Sequence, residues 1–301
     1  KTIFKVRRLL REQAIIVHAH LPRAEIVARF FLIAKTNLFF VTRHNAEDFG
    51  SGRKFGPLNW LSKVILKRAN GIIAISRAVK EFLINNRQIS KKDYKKISIV
   101  HYGIPQERSL EKVVRLRKFA YRVGTISRLV NQKNLDFQVQ ALHRLKTTTP
   151  FDWTLAIAGE GPEKETLERK AQILGIEKDM KLLGKIQETD DFFDSIDVFV
   201  LTSKYEGFGL VLLEAMASGI PIVASKVSAI PEVLGFDYPG LYMSDSLEDF
   251  VNKLKNCQLR EFREELLQKY KSRLEKFNLE ASERNLSRIY LQQKCEMIRR
   301  D

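Results

Sequence analysis

The chain is poor in cysteine, with only Cys257 and Cys295 among its 301 residues. So few thiols exclude a disulfide framework and a thiolate-built metal cluster, and they favour a reducing, cytoplasmic setting. Long apolar runs are missing too. A membrane-spanning helix needs about 20 consecutive apolar residues, and the longest contender, IVARFFLIAKTNLFFV, is interrupted by Arg29 and Lys35. The opening KTIFKVRRLLRE is basic but has neither the apolar centre nor the small-residue cleavage site of a secretory signal. It reads as internal to a longer chain. Acidic residues are scarce in one region only. Residues 1–118 hold 26 Lys and Arg against 8 acids, a balance of +18, whereas residues 119–301 hold 26 against 28, or −2. The asymmetry points to a surface that meets something anionic (a membrane leaflet, a nucleic acid or a phosphorylated substrate) or to a merely well-solvated one. A helix-turn-helix signature, zinc-ligand spacing and an aromatic RNA platform are all lacking, which argues against nucleic acid.

What is present is the composition of a globular protein, 44% hydrophobic and 29% charged, long enough for two domains. Short β-branched and aromatic runs alternate with amphipathic stretches: AIIVHAH, NLFFVTRH, GIIAIS and KISIVHYG, then YRVGTIS, WTLAIAGEG, MKLLGKI, DVFVLTS and PIVAS. Strands alternating with helices of about 10–15 residues imply α/β architecture, with parallel sheets covered on both faces. The polar stretch PQERSLEKVVRLRK carries no strand run and places a linker near residues 105–119. This divides the chain into a domain over 1–108, a second over 109–275 and a closing amphipathic helix over 276–301.

In open α/β sheets ligands bind beyond the carboxyl ends of the strands, often against helix N-termini. Four strand-end motifs stand in the second half: Arg128 and Lys133 after YRVGTIS, AGEGP (158–162) after WTLAI, GKI (184–186) after MKLL, and SKYEGFG (203–209) after DVFVL. Gly207 and Gly209 allow a tight path into a helix, GLVLLEAMASG, which is stopped by Gly219 and Pro221. Glu206 then lies on the loop and Glu214 inside the helix, with seven residues between them. A helix apolar on all sides is buried, so Glu214 is expected to lack a solvated face and to need donors: ligand hydroxyls, an arginine or a backbone amide. The amides of 207–210 converge where the helix dipole favours an anion. With Arg128 and Lys133 beside them, the arrangement suits a diphosphate flanked by two carboxylates. The acidic TDDFFD (189–194) reads as a helix start with Thr189 as N-cap rather than as a cation site.

SRLVNQKN (127–134), AGEGP, EGFGLVLLE (206–214), SGIPIVAS (218–225) and IPEVLG (230–235), in this order, resemble the glycosyltransferases of family 4. The resemblance covers essentially the whole chain. It implies the GT-B fold, two Rossmann-like domains facing across a cleft, and sugar transfer from a nucleoside diphosphate sugar with retention of configuration. By that resemblance Arg128 and Lys133 hold the donor diphosphate, and Gly159 and Gly161 belong to the donor site. Glu206 lies near the donor sugar and Glu214 binds the ribose hydroxyls. Backbone amides around Gly207, Phe208, Gly209 and Leu210 contact sugar and phosphate. In VHAH (17–20), His20 corresponds to a histidine beside the donor sugar where the acceptor arrives, and His44 is a second candidate on the acceptor side. Family members open with a strand and a glycine-rich loop that have no counterpart before KTIFKVRRLL, so the first domain is expected to be truncated.

The resemblance further implies a glycan or lipid-linked acceptor, in polysaccharide, lipopolysaccharide or glycolipid biosynthesis. It implies no cofactor and no metal, since cationic side chains offset the leaving-group charge. KTIFKVRRLLR and FGPLNWLSKVILKR (55–68) mix apolar and basic residues, consistent with peripheral binding at the inner face of the cell membrane or with ordinary Rossmann helices. A catalytically silent GT-B fragment and a nucleotide-sugar epimerase of GT-B type are the alternatives.

Overall fold

The structure, a computed structural model, describes residues 16–29, 38–45, 57–105 and 120–299. Its contacts divide into two compact units, residues 1–102 with 279–301, and residues 103–278. KTIFKVRRLLR and nearly all of the linker stretch lie outside the described residues.

Unit 1 runs β1 (Ile16–His20), α1 (Pro22–Val27), β2 (Leu38–Arg43), α2 (Pro57–Arg68), β3 (Gly71–Ala74), α3 (Arg77–Asn85) and β4 (Ile97–Ile99), with a 3-10 turn over Lys91–Lys96 before the last strand. The described strands form one parallel sheet in the order β1-β2-β3-β4. β2 is buried along its whole length, as a strand covered on both faces must be. Ser76 caps α3 by accepting from the Val79 amide at 3.1 Å. A buried Glu25 on α1 stands 2.9 Å from Arg43 at the end of β2, and Arg43 donates to Ser62 Oγ of α2 at 2.9 Å. That acid lies at ion-pair distance without hydrogen-bond geometry. Burial raises its pKa to about 7 despite the nearby guanidinium.

Unit 2 runs β5 (Ala120–Ile126), α4 (Leu135–Thr148), β6 (Asp152–Ala158), α5 (Lys164–Ile173), β7 (Met180–Gly184), α6 (Thr189–Ser195) and β8 (Val198–Leu201). It continues through α7 (Leu210–Ala217), β9 (Ile222–Ser225), α8 (Ile230–Leu234), β10 (Leu241–Tyr242), α9 (Leu247–Asn256), α10 (Arg260–Gln268) and α11 (Tyr270–Lys276). Its six parallel strands stand in the order β10-β9-β8-β5-β6-β7. The chain thus winds outward one way from β5 and the other way from β8. Between those two strands lies a topological switch point, where the loops leaving the sheet part and open a crevice. β8 and β9 are buried throughout, and Trp153, Phe199, Tyr242 and Tyr270 fill the core.

The closing helix α12 (Leu279–Ile298) belongs to unit 1, where Ser282 Oγ donates to the carbonyl of His101 at 2.6 Å. Each of the nine strand runs read from the sequence is a strand. β10, two residues long, offers no alternation to read. TDDFFD forms α6, but Thr189 is its first helical residue: Glu188 occupies the cap position and no side chain caps the helix. The first-turn acids Asp190 and Asp191 complement its dipole instead.

Candidate functional site

The loops that leave β5 and β8 meet at the switch point of unit 2. After β5 the chain makes a 3-10 turn over Asn131–Lys133, and Asn134 takes a left-handed conformation (φ 51°) to turn into α4. Thr202, just past β8, stitches the two loops together. Its hydroxyl accepts from Gln138 Nε2 at 2.8 Å and donates toward the carbonyl of Lys133 at 3.0 Å. The Lys204 amide donates to the Gln132 carbonyl at 2.8 Å, and Gln132 Nε2 donates to the Tyr205 carbonyl at 3.0 Å. Arg128 is exposed, and its guanidinium donates to Gln132 Oε1 at 3.4 Å.

The same stitching brings Lys133 Nζ to 2.5 Å from Glu206 Oε1, which also accepts from Ser203 Oγ at 2.6 Å. Glu206 is 6% exposed. Lys133 and Glu206, read from the sequence as serving diphosphate and sugar separately, are therefore ion-pair partners. Past them, Gly209 adopts a left-handed φ of 87° and starts α7, and no side chain caps that helix. Its leading amides are oriented toward the loop, where an anion would be favoured. Phe208 turns its ring into the core against Phe277, with centroids 5.5 Å apart, so only its backbone can meet a ligand.

Glu214 corrects an expectation. It is half-buried rather than enclosed, because α7 buries Leu212, Leu213, Ala215, Met216 and Ala217 but leaves Leu210, Val211 and Glu214 on a partly open side. Leu210 is 39% exposed. Gly159 and Gly161 stand where the β6 loop crosses the β5 loop. A Cβ on Gly159, whose φ is 133°, would come within 1.9 Å of the Ser127 carbonyl oxygen, and one on Gly161 within 2.3 Å of that of Leu129. The glycines permit that crossing, which backbone bonds from Ser127 to Ala158 and from Leu129 to Glu160 hold, each 2.9 Å.

In unit 1 the strand ends gather imidazoles. His18 and His20 project from the same face of β1, as residues two apart do, and their rings lie 4.3 Å apart. His20 Nδ1 is 3.1 Å from His44 Nε2, and His44 Nδ1 meets the Tyr102 hydroxyl. His18 Nε2 bonds Thr42 Oγ1 at 2.7 Å, and its Nδ1 meets Tyr290 of α12. Burial lowers the pKa of His18 and His44 to about 4, with neighbouring imidazoles adding to the effect and, for His44, Arg43 as well; burial also lowers that of His20. The cluster is uncharged at neutral pH. His20 and His44, read from the sequence, are brought together. His18, Thr42, Tyr102 and Tyr290 were not read, and nor were Gln132, Gln138, Thr202 and Ser203 of unit 2. A first histidine two residues before His20 was the one available signal. Among the described residues no group of three His, Cys, Asp or Glu side chains is arranged to hold a metal ion.

Two units of parallel α/β structure, one with a glycine-and-cation crevice at its switch point, are the architecture of the GT-B glycosyltransferases. The solved structure of Anabaena Alr3699/HepE in complex with UDP has that fold too, superposing with a TM-score of 0.80 over 96% of this chain and 82% of that one at 17% identity. A family model described as "Glycosyl transferases group 1" matches residues 107–274, more than half of the chain, and one described as "Glycosyltransferase Family 4" matches residues 1–108. The chain belongs to glycosyltransferase family 4. It is 31% identical, over 208 residues, to the lipopolysaccharide core biosynthesis mannosyltransferase LpsB of Rhizobium meliloti (strain 1021), covering 64% of this chain and 56% of that protein. It is 25% identical, over 270 residues, to the UDP-Gal:alpha-D-GlcNAc-diphosphoundecaprenol alpha-1,3-galactosyltransferase of Escherichia coli, covering 84% of this chain and 69% of that protein. The chain thus spans little more than half the length of LpsB.

Proposed function

We propose that the chain is a hexosyltransferase-type enzyme that moves a sugar from a nucleoside diphosphate sugar to a hydroxyl of a glycan or lipid-linked acceptor, with retention of configuration. The pathway would be polysaccharide, lipopolysaccharide or glycolipid biosynthesis. One observation carries the reading: Arg128, the Lys133–Glu206 pair and the uncapped start of α7 converge at the switch point of unit 2. The activities after which both relatives are named, and the UDP in the HepE structure, support it.

As the glycosidic bond breaks, positive charge grows on the sugar and negative charge on the departing diphosphate. Arg128 and Lys133 neutralise the latter together with the amides of Gly207, Phe208, Gly209 and Leu210, so no metal is required. Glu206 faces the sugar and Glu214 accepts from the ribose hydroxyls. Gly159 and Gly161 keep the neighbouring loop close enough to the diphosphate to exclude bulk water. On the acceptor side His20, kept neutral by burial and oriented by His44, is the residue that serves the acceptor hydroxyl. The basic first part of the chain adds peripheral binding to an anionic membrane at the inner face of the cell membrane. Among the described residues no helix is long and apolar enough to cross a membrane.

Product identification tests the reaction. Incubating the protein with UDP-, GDP- and ADP-sugars and a lipid-linked or glycan acceptor should yield an acceptor lengthened by one sugar of unchanged anomeric configuration. An epimerised nucleotide sugar as the product would replace transfer by epimerisation, and an untouched donor would leave a binding scaffold.

A further inference from the structure

Unit 1 holds a concave site away from its histidines. A cavity of about 730 Å³ opens beside α2, the end of α3 and the 3-10 turn over Lys91–Lys96. α2 leads directly into the start of β3 and the 3-10 turn into the start of β4, so the cavity lies at the amino ends of these strands. His20 and His44 stand at the carboxyl ends. Five cations line it: Lys63 and Lys67 of α2, Arg87, Lys91 and Lys92. All five are exposed. Its floor is apolar, made by Leu66, Ile84, Ile89 and Tyr94. The acid lining it, Asp93, is buried and already engaged: Lys96 Nζ lies 2.9 Å away and Ser90 Oγ donates at 2.9 Å. Lys96 also donates to the Lys67 carbonyl at 3.0 Å, tying the turn to the end of α2. Helix capping accounts for Lys67, which sits in the last turn of its helix. It does not account for Lys63, four residues earlier, nor for Lys91 and Lys92, which open their turn at the end where cations are disfavoured.

Trp60 is 66% exposed and shares a helical face with Lys63 and Lys67, three and seven residues on. An exposed indole beside lysines is the composition of a side chain set that rests at the headgroup level of a bilayer.

We propose that this cavity docks the protein on an anionic membrane, taking a phospholipid phosphate among Lys63, Lys67, Arg87, Lys91 and Lys92 and the glycerol and upper acyl carbons on its apolar floor. The apolar floor and exposed indole favour an amphiphile over a nucleic acid, whose bases would call for stacking aromatics along a groove. The proposal rests on the peripheral-membrane part of the proposed function, and its test separates the two.

Co-sedimentation is measured with vesicles of phosphatidylcholine alone and of phosphatidylcholine mixed with phosphatidylglycerol, alongside tryptophan emission. The chain has two tryptophans and Trp153 is fully buried, so a blue shift on binding reports Trp60. Wild type should bind the mixed vesicles only, with a blue shift. Lys67→Glu/Lys91→Glu/Lys92→Glu should lower partitioning by at least roughly a hundredfold, about fivefold for each cation removed, with repulsion of the added acids on top. The equally charged control Lys164→Glu/Lys178→Glu/Lys181→Glu in unit 2 should bind like wild type. If the first triple variant fails to fold, Lys67→Gln/Lys91→Gln/Lys92→Gln replaces it. Equal binding by wild type and the unit 1 variant overturns the cavity but leaves membrane binding standing; no binding by wild type overturns both. Equal loss in the control reduces the effect to net charge. Release by inorganic phosphate at matched phosphate concentration, or the same blue shift with RNA and none with vesicles, assigns the cavity to a soluble anion or a nucleic acid and overturns the proposal. None of these outcomes touches the sugar-transfer assay.

Discussion

At the strand ends of unit 1, three imidazoles and two phenols gather through hydrogen bonds and ring contact into an uncharged cluster, whereas at the strand ends of unit 2 a lysine and a glutamate form an ion pair beside an exposed arginine. The bulk charge runs the other way, since the excess of cations belongs to the first 118 residues. Among the described residues unit 1 keeps its cations at or near the surface, Arg43 excepted, and burial keeps its histidine cluster neutral. Unit 2, near charge balance, concentrates opposite charges in one loop crossing. A site that meets a sugar hydroxyl needs directed hydrogen bonds without net charge. One that meets a leaving diphosphate needs fixed cations and amides.

The sharpest way to break this comparison is to discharge the unit 2 pair. Lys133→Met should lower turnover by roughly a hundred- to a thousandfold, the scale of losing one preorganised donor. It should also cost about 3 kcal/mol of stability, because Glu206 is left buried without its cation. Lys133→Met/Glu206→Gln should regain most of that stability in urea melts and none of the turnover. Recovered turnover would reduce the pair to a structural role. Next, Gly159→Ala should cost about 3 kcal/mol, its Cβ striking the Ser127 carbonyl in a conformation L residues avoid. Gly175→Ala, with φ 67° but open space around it, should cost only about 1 kcal/mol. Equal melts would mean that the crossing of the β5 and β6 loops gives way easily.

Glu214→Gln should weaken donor binding about tenfold, the worth of one charge-assisted hydrogen bond, as read by calorimetry. A donor lacking ribose hydroxyls should bind both proteins alike. The smallest effect belongs to pH. The folded pKa values of His18 and His44 lie near 4, below the ordinary 6.5, mainly through burial. Below pH 6.5 the unfolded chain takes up protons that folded unit 1 resists, so stability falls as pH drops from 6.5 toward 4. Glu25 opposes this: raised from 4.5 to about 7, it makes the folded state less stable as pH rises between those values. With two groups against one, the thermal midpoint should decline on the acid side, and His18→Gln should flatten the decline. An unchanged acid limb in that variant would remove His18 from the account.

Much of this was legible. Parallel strands buried on both faces announce themselves as apolar runs, so nine of the ten strands among the described residues could be read, and the glycines and cations at their ends marked the switch point. The pairing of Lys133 with Glu206 was not legible, because the residues are 73 apart and the strand order that sets β8 beside β5 is a tertiary fact. The openness of Glu214 escaped for a related reason. Composition alone suggests a helix covered all round, while the packing of α7 leaves the side bearing Leu210 and Glu214 partly clear. The imidazole cluster draws on β1, β2, the chain after β4 and α12, which no local pattern joins. Thr202 and Gln138 look like ordinary polar residues until their hydrogen bond ties the loops together.

Calorimetric titration of a nucleoside diphosphate sugar into wild type and Arg128→Ala tests the central claim most directly, because Arg128 is exposed and its loss leaves the Lys133–Glu206 pair in place. Saturable binding by wild type, weakened at least about tenfold in the variant, is the expected result. Undiminished binding by Arg128→Ala, or binding that persists when the donor is replaced by the free sugar, would contradict a diphosphate held at the switch point of unit 2.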